Sequence, residues 1–495
     1  MDQDIPPELL AAAETSTIDL AAQEILLASS RHDVSTLRAL LRTYTTGTSS
    51  AAANVVDSET GYTPLHAAVA GMAASPSSEG AVDGSVVTNS HVATNGNGNG
   101  EGAAAHGEGE AEGEEELARA EKTISLLLQN GAIWNALDRA DETPGCLAWR
   151  MGQRRLYEMV VDAGVRAELL FQRLDGYEEI VEEEGSSDDG EEEEGEEEEG
   201  RETAGEEKGE EVAESGAVEA EGQDHDREAA GNAEAAVAEG AATQDADDAE
   251  IKDNARFLSS KLTFTSNRLI DDHANAVMME WERDIMSRTV AKLLPSSPPS
   301  SSSTTSADPA NDETEPFTIL NIGHGLGILD TLIQSSPNLP TNTHHHIIEP
   351  HPDVLTRLKA PDGFLSTHKN VTLHEGTWQS VLPNLINTNT TFDAIYFDTF
   401  AEPYASFRDF FTEYVIALLK EHGRWSFFHG LGADRRVCYD VYTKVVEMDL
   451  FEAGYEVEWT EVGVDERLRR EAGTGVRRRY WDLEGYRLPV CGFMG

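Results

Sequence analysis

The stretch Phe317–Gly327, FTILNIGHGLG, constrains the fold of this chain more than any other. Thr318–Ile322 is a short apolar run that breaks into Gly323, Gly325 and Gly327, the pattern of a buried parallel strand turning sharply into a helix. Glycines suit such a turn because a Cβ would obstruct the approach of a ligand's sugar and base. Downstream, His346–Glu349 (HIIE) reads as a second strand ending in an acid, at the distance where an acid holds ribose hydroxyls. The Gly-x-Gly-x-Gly spacing departs from the GxGxxG form that cradles a pyrophosphate. A ribose acid without that cradle favours S-adenosylmethionine over NAD.

From Phe317 onward, strand and helix patterns alternate. Strands are expected at Phe317–Ile322, His345–Glu349, Val371–Glu375, Phe392–Phe397, Gly423–Phe428, Tyr455–Val462 and Arg487–Phe493. Helices are expected to begin near Gly327, Pro352, Thr377, Tyr404 and Ala433. Such alternation predicts a mostly parallel sheet with helices on both faces. The last two strands leave no room for a crossover helix, so they are expected to pair antiparallel at one edge.

The N-terminal third reads differently. Two helical patterns occupy Ile18–Tyr44, and Thr60–Ala70 (TGYTPLHAAVA) contains the Thr-Pro-Leu-His-x-Ala signature of an ankyrin repeat. A low-complexity insertion at 72–116 interrupts the pattern, which resumes at Thr123–Ala132 with a degraded Thr143-Pro144 and a further amphipathic helix over Arg154–Ala163. Two to three ankyrin-type repeats are expected within residues 1–173, with His66 structural. The repeats would supply a docking surface and no chemistry.

Residues 174–254 are expected to form a disordered acidic linker. Between Gly176 and Glu250 there are 32 acids and three bases, a large part of the chain's net charge of −55. So acidic a chain repels phosphates, which argues against nucleic-acid binding and for a basic protein partner. Cys146, Cys438 and Cys491 are too few for a disulfide framework and lack metal-ligand spacing. No apolar stretch approaches a membrane span. A soluble, monomeric protein of the cytoplasm or nucleus is expected. Order is expected to return at 255–495, interrupted by a Ser/Pro-rich loop at 294–315.

In doubly wound sheets ligands sit at the carboxyl ends of the strands. Those ends carry Gly323–Gly327, Glu349, Glu375–Trp378 and Asp398–Glu402. Asp398 ends the strand FDAIYFD, where a methyl donor and its acceptor would meet. The run His344–His346 is not expected to bind metal, because successive strand residues face opposite sides. Trp281, on a segment expected to be helical (AVMMEWERDIM), is read as packing.

Five motifs in a shared order, Ala276–Met286, Asn321–Leu326, Ile347–His351, Glu375–Trp378 and Tyr396–Thr399, resemble guanidinoacetate N-methyltransferase. They look closer still to the type IV protein arginine methyltransferases, which modify the internal δ-nitrogen of arginine and carry N-terminal ankyrin-like repeats. The blocks Phe428–Tyr442 and Arg478–Phe493 add to that likeness. The resemblance implies a class I S-adenosylmethionine-dependent methyltransferase fold (Rossmann-like, with an antiparallel edge) beside an α-helical ankyrin domain. It also implies that Phe257, Met278 and Met286 pack on the cofactor. Asn321, Ile322, Gly323, His324, Gly325 and Leu326 would cradle its methionine and ribose side. Glu349, Pro350 and His351 would hold the ribose, and Thr377 and Trp378 would contact adenine. Glu282 and Asp398 would be the catalytic pair that grips the guanidinium, with Glu402 a supporting acid. The implied substrate is an exposed arginine in a protein, a ribosomal protein by family habit. Two other functions remain open at this point: methylation of a small guanidine, and an ankyrin adaptor carrying an inactive methyltransferase fold.

Overall fold

The computed structural model describes residues 20–44, 51–72, 106–184, 254–296, 315–477 and 480–495. The bulk of the insertion, the acidic linker and the Ser/Pro loop lie outside the described residues. Two compact units divide the chain, 1–171 with 253–495, and 172–252. Both the helical N-terminal region and the sheet therefore belong to the first.

The N-terminal region stacks helices α1 (residues 20–30), α2 (Val34–Tyr44), α3 (Pro64–Ala70), α4 (His106–Gln129), α5 (Pro144–Arg150) and α6 (Arg154–Glu184). α3 and α5 start alike, each with proline in the first turn behind a threonine cap. The Thr63 hydroxyl lies 2.9 Å from His66 Nδ1, and His66 Nε2 reaches the Glu142 carbonyl at 3.0 Å. His66 thus ties one helical unit to the next, a structural role. α4 begins at His106, inside the low-complexity insertion, and α6 runs on to Glu184, into the stretch expected to be a disordered linker. Glutamate is a strong helix former, so a Glu-rich tail extends a helix that tertiary packing has already nucleated.

The C-terminal region opens with α7 (Asn254–Ser259) and a small antiparallel sheet of β1 (Thr263–Phe264), β2 (Arg268–Ile270) and β3 (Ala276–Met279). Here the expectation of one helix over Ala276–Met286 is corrected. Ala276–Met279 pairs with β2, a single 3-10 turn (Glu280–Glu282) follows, and only then does α8 (Arg283–Leu293) begin. The turn is locked because Glu282 Oε1 accepts from the Met279 amide at 2.7 Å.

The main sheet holds β4 (Thr318–Ile322), β5 (His344–Glu349), β6 (Val371–Glu375), β7 (Phe392–Phe397), β8 (Leu419–Phe427), β9 (Tyr455–Gly463) and β10 (Gly485–Phe493). Their order is β6-β5-β4-β7-β8-β10-β9. Neighbours from β6 to β8 run parallel, while β10 pairs antiparallel with both β8 and β9 as expected, although the connection 464–484 is long enough to hold a further helix, Glu466–Ala472. Connecting helices are α9 (Ile328–Ser335), α10 (Pro352–Leu358), α11 (Trp378–Asn387), α12 (Tyr404–Asp409) and α13 (Arg436–Glu452). The chain winds outward from β4 to β6, then returns to lay β7 on the other side of β4. That reversal opens a crevice at the carboxyl ends of β4 and β7. Among the described residues no helix is long and apolar enough to cross a membrane.

α13 belongs to both regions. Val437, Val441 and Val445 are fully buried in one core with Trp134, Leu147, Val160 and their neighbours. Contact there is close: a Cβ added at Gly145 would stand 2.6 Å from Val437 Cγ2, and one at Gly164 would stand 2.6 Å from Val441 Cγ2.

Candidate active site

At the switch point a cleft opens above the glycine turn. Gly323, Gly325 and Gly327 all have left-handed backbone, with φ of 93°, 54° and 74°. Gly323 has a second reason to lack a side chain. Its Cβ would fall 1.9 Å from the Asp398 carbonyl, because the ends of β4 and β7 touch there. Glu349, at the end of β5, turns its carboxylate into this loop. Oε2 accepts from the amides of His324 (2.8 Å) and Gly325 (3.4 Å), and Oε1 from His351 (2.8 Å). Burial raises its pKa, against the pull of those amides. A carboxylate offers about four acceptor sites, so three amides leave room for a ligand hydroxyl.

Ten of the residues expected to touch the cofactor line this cleft: Phe257, Met278, Ile322, Gly323, Gly325, Glu349, Pro350, Thr377, Trp378 and Asp398. The other five do not reach it. Asn321 is fully buried and points the other way, donating to both carboxylate oxygens of Asp330 at 2.9 Å. The alternation of β4 dictates this, since Ile322 takes the cleft side. His324 sends its ring down to Asp330 (Nδ1–Oδ2 2.6 Å) and offers only its backbone amide to the loop. Met286 is buried in the core between α8 and the sheet. Leu326 gives its amide to Met278 Sδ at 3.2 Å. His351 caps α10 through Nδ1 and packs on the Phe257 ring, 5.0 Å between centroids.

Beneath the loop, Asp330 is enclosed by the imidazoles of His324 and His345 (Nε2–Oδ1 2.9 Å). Burial alone would raise its pKa, but hydrogen bonds and charge from the two histidines hold it well below the ordinary carboxylate range. His345 faces this cluster, whereas His346 lies on the opposite face against His374 (3.0 Å). The run therefore alternates, and among the described residues no group of His, Cys, Asp and Glu is arranged to hold a metal.

A second cavity adjoins the first, sharing Val277, Asp398, Thr399, Phe400 and Glu402 with it. Its walls are largely aromatic: Phe397, Tyr404, Phe407, Phe427, Phe428 and Tyr480. Glu282 and Asp398 stand in this cavity, the first buried and the second half-buried. The Glu282 pKa is pushed up to about 8, by burial first and then by the Asp398 charge. Asp398 is pushed up to about 7 by burial. The Tyr480 hydroxyl donates to Glu282 Oε1. Among the described residues Asp398 Oδ2 and the Tyr396 hydroxyl have no hydrogen-bond partner. Two acids with no cation between them among the described residues, one with an orphaned oxygen, could receive a flat cation with several N–H donors.

Sequence reasoning gave no individual role to Tyr480, Thr399, Phe400 or Val277, although the last three fall within stretches it singled out. Tyr480 belongs to a block already singled out, yet nothing in its spacing connects it to an acid 198 positions earlier. Glu402 is more central than a supporting acid. It lines both cavities, held by the Trp378 indole N–H (3.0 Å), the Thr399 hydroxyl (2.7 Å) and Gln379 (3.2 Å).

A doubly wound sheet with a cleft at its switch point, opening onto an acid pair, is the architecture of a Rossmann-like cofactor-binding enzyme. No protein-family model matches the chain. Comparison with curated proteins is decisive. The chain is 45% identical to protein arginine N-methyltransferase 2 of Aspergillus fumigatus, over 97% of this chain and 98% of that protein. It is 38% identical to the Neurospora crassa protein of the same name, over the whole chain and 98% of that protein. The Saccharomyces cerevisiae counterpart is 34% identical over 77% of this chain and 79% of its own length. The chain belongs to the fungal protein arginine N-methyltransferase 2 family.

Proposed function

We propose that this protein is an S-adenosylmethionine-dependent protein arginine N-methyltransferase that monomethylates the internal δ-nitrogen of an arginine in a target protein. The observation that carries the reading is the pair Glu282 and Asp398 in the second cavity, with Asp398 also lining the first and its Oδ2 without a hydrogen-bond partner among the described residues.

The cleft fits the cofactor: three left-handed glycines let a ligand approach the backbone, and Glu349 retains acceptor capacity for ribose hydroxyls. When bound, the cofactor supplies an electrophilic methyl on a sulfonium. An arginine guanidinium has pKa above about 12 and delocalised lone pairs, so it is a poor nucleophile unaided. Glu282 and Asp398 would bind its terminal nitrogens and draw positive charge toward them, leaving the internal nitrogen richer in electrons and aimed at the methyl. Asp398, fixed at its strand end, accepts the proton released when the new N–C bond forms. Tyr480 keeps Glu282 oriented, and the aromatic walls take the arginine's alkyl stem.

The N-terminal helices, with their Thr63–His66 turn and repeated Thr-Pro starts, are read as ankyrin-type repeats that hold the target. A ribosomal protein of the cytoplasm or nucleus is the target class proposed. Fragment mass spectrometry of a protein methylated by the purified enzyme tests the assignment: methyl on the δ-nitrogen is expected, and methyl on a terminal nitrogen would overturn it.

A further inference from the structure

We infer that the N-terminal helical module braces the substrate cavity, so that Tyr157 and Tyr442 are positioning residues for methyl transfer as well as interface contacts. The inference rests on reading the second cavity as the arginine site.

Two routes lead from α6 to that cavity. In the first, the buried Tyr157 hydroxyl donates to Asp440 Oδ2 on α13. Asp440 Oδ1 pairs with Arg487 Nη2 at 2.6 Å, and Arg487 Nη1 donates to the Thr443 hydroxyl at 3.0 Å. Thr443 gives its single proton to the Tyr439 carbonyl (2.7 Å), so the contact to His429 Nε2 at 2.8 Å requires the imidazole to donate. His429 is fully buried, and burial with the Arg487 charge pushes its pKa down to about 3, leaving a neutral ring with a fixed tautomer. Its chain neighbours Phe428 and Gly430 line the cavity.

The second route is shorter. The Tyr442 hydroxyl donates to Glu168 Oε2 of α6 at 3.0 Å, and its ring stands 6.3 Å from that of Tyr404. Tyr404 lines the opposite wall of the cavity and is itself anchored by donating to Asp449. Around both routes lies the valine-against-glycine packing of α13, which leaves the module no room to slide. The cofactor loop takes no part in either chain of contacts. Pocket walls held from outside their own domain should loosen when the hydroxyls that hold them are removed, while the cofactor cleft stays as it was.

The test uses the full chain with Tyr157→Phe and Tyr442→Phe, singly and together. Each variant deletes one oxygen and keeps the packing; Asp440 retains Arg487, so folding should survive. Hydrogen exchange is followed in the wall segment 428–435 and in the glycine loop 323–327. Several-fold faster exchange in 428–435 with no change in 323–327 is the expected result. Methyl transfer to protamine, an arginine-rich polypeptide, should show a several-fold lower kcat or higher KM, with S-adenosylmethionine affinity by calorimetry unchanged. Unaltered exchange in 428–435, or equal acceleration in both loops, would overturn the inference. Wild-type enzyme that leaves protamine unmethylated would count against the arginine reading instead, and the exchange result would still decide the bracing.

Discussion

Substituting Glu282 with Gln should remove activity and, above neutral pH, stabilise the fold. Glu282 is buried and desolvated, and Asp398 adds like charge; no cationic side chain offsets either among the described residues. Its pKa rises from 4.5 to about 8 on folding. Since the folded value lies above the unfolded one, the folded state favours the protonated acid. Ionisation therefore costs nothing below the unfolded value. The cost accumulates as pH rises from about 4.5 and is complete near pH 8. That interval corresponds to a ceiling of about 5 kcal/mol. Glutamine carries no such cost, and any constant difference between amide and acid hydrogen bonds cancels when two pH values are compared. Urea unfolding of both proteins at pH 5 and pH 9, without ligands, reads the effect. Relative to wild type, the variant should gain at least about 2 kcal/mol between those conditions. A difference that stays the same at both pH values would show that Glu282 ionises freely, and the buried receptor would be lost with it.

Asp398→Asn and Glu282→Gln should each cut methyl transfer by a factor of about 100 while sparing cofactor affinity, and the double variant should be little worse, because the acids act as a unit. Wild-type turnover should climb with pH through about 7 to 8, as both acids must shed their protons to take up the guanidinium; a flat profile there would contradict it. Glu349→Ala should weaken S-adenosylmethionine binding by about 1.5–3 kcal/mol in calorimetry, with NAD failing to compete. Gly323→Ala should abolish cofactor binding or folding, since its Cβ would lie 1.9 Å from the Asp398 carbonyl. Deleting residues 1–173 should expose Val437, Val441 and Val445 and yield an aggregating or strongly destabilised fragment, read by solubility and thermal scan.

The sequence by itself determined the sheet and where its ligands belong. Buried parallel strands read as continuous apolar runs, and the glycine turn, Glu349 and Asp398 announce their carboxyl ends, so local chemistry is enough. The final antiparallel pair was expected for want of a crossover helix, but the connection 464–484 does hold a helix, Glu466–Ala472, so it is the packing of β10 between β8 and β9 that sets its direction. Only tertiary structure decided the rest. Whether Ala276–Met279 was strand or helix depended on a partner strand at Arg268–Ile270, which periodicity over four residues does not reveal. Asn321 and His324 sit in the glycine motif, yet strand alternation and the buried Asp330 turn their side chains away from the cleft. Tyr480 reaches Glu282, and Tyr157 reaches Asp440, across hundreds of residues of chain. Such contacts leave no trace in spacing, because they are set by how α13 and β10 pack rather than by any repeat along the backbone.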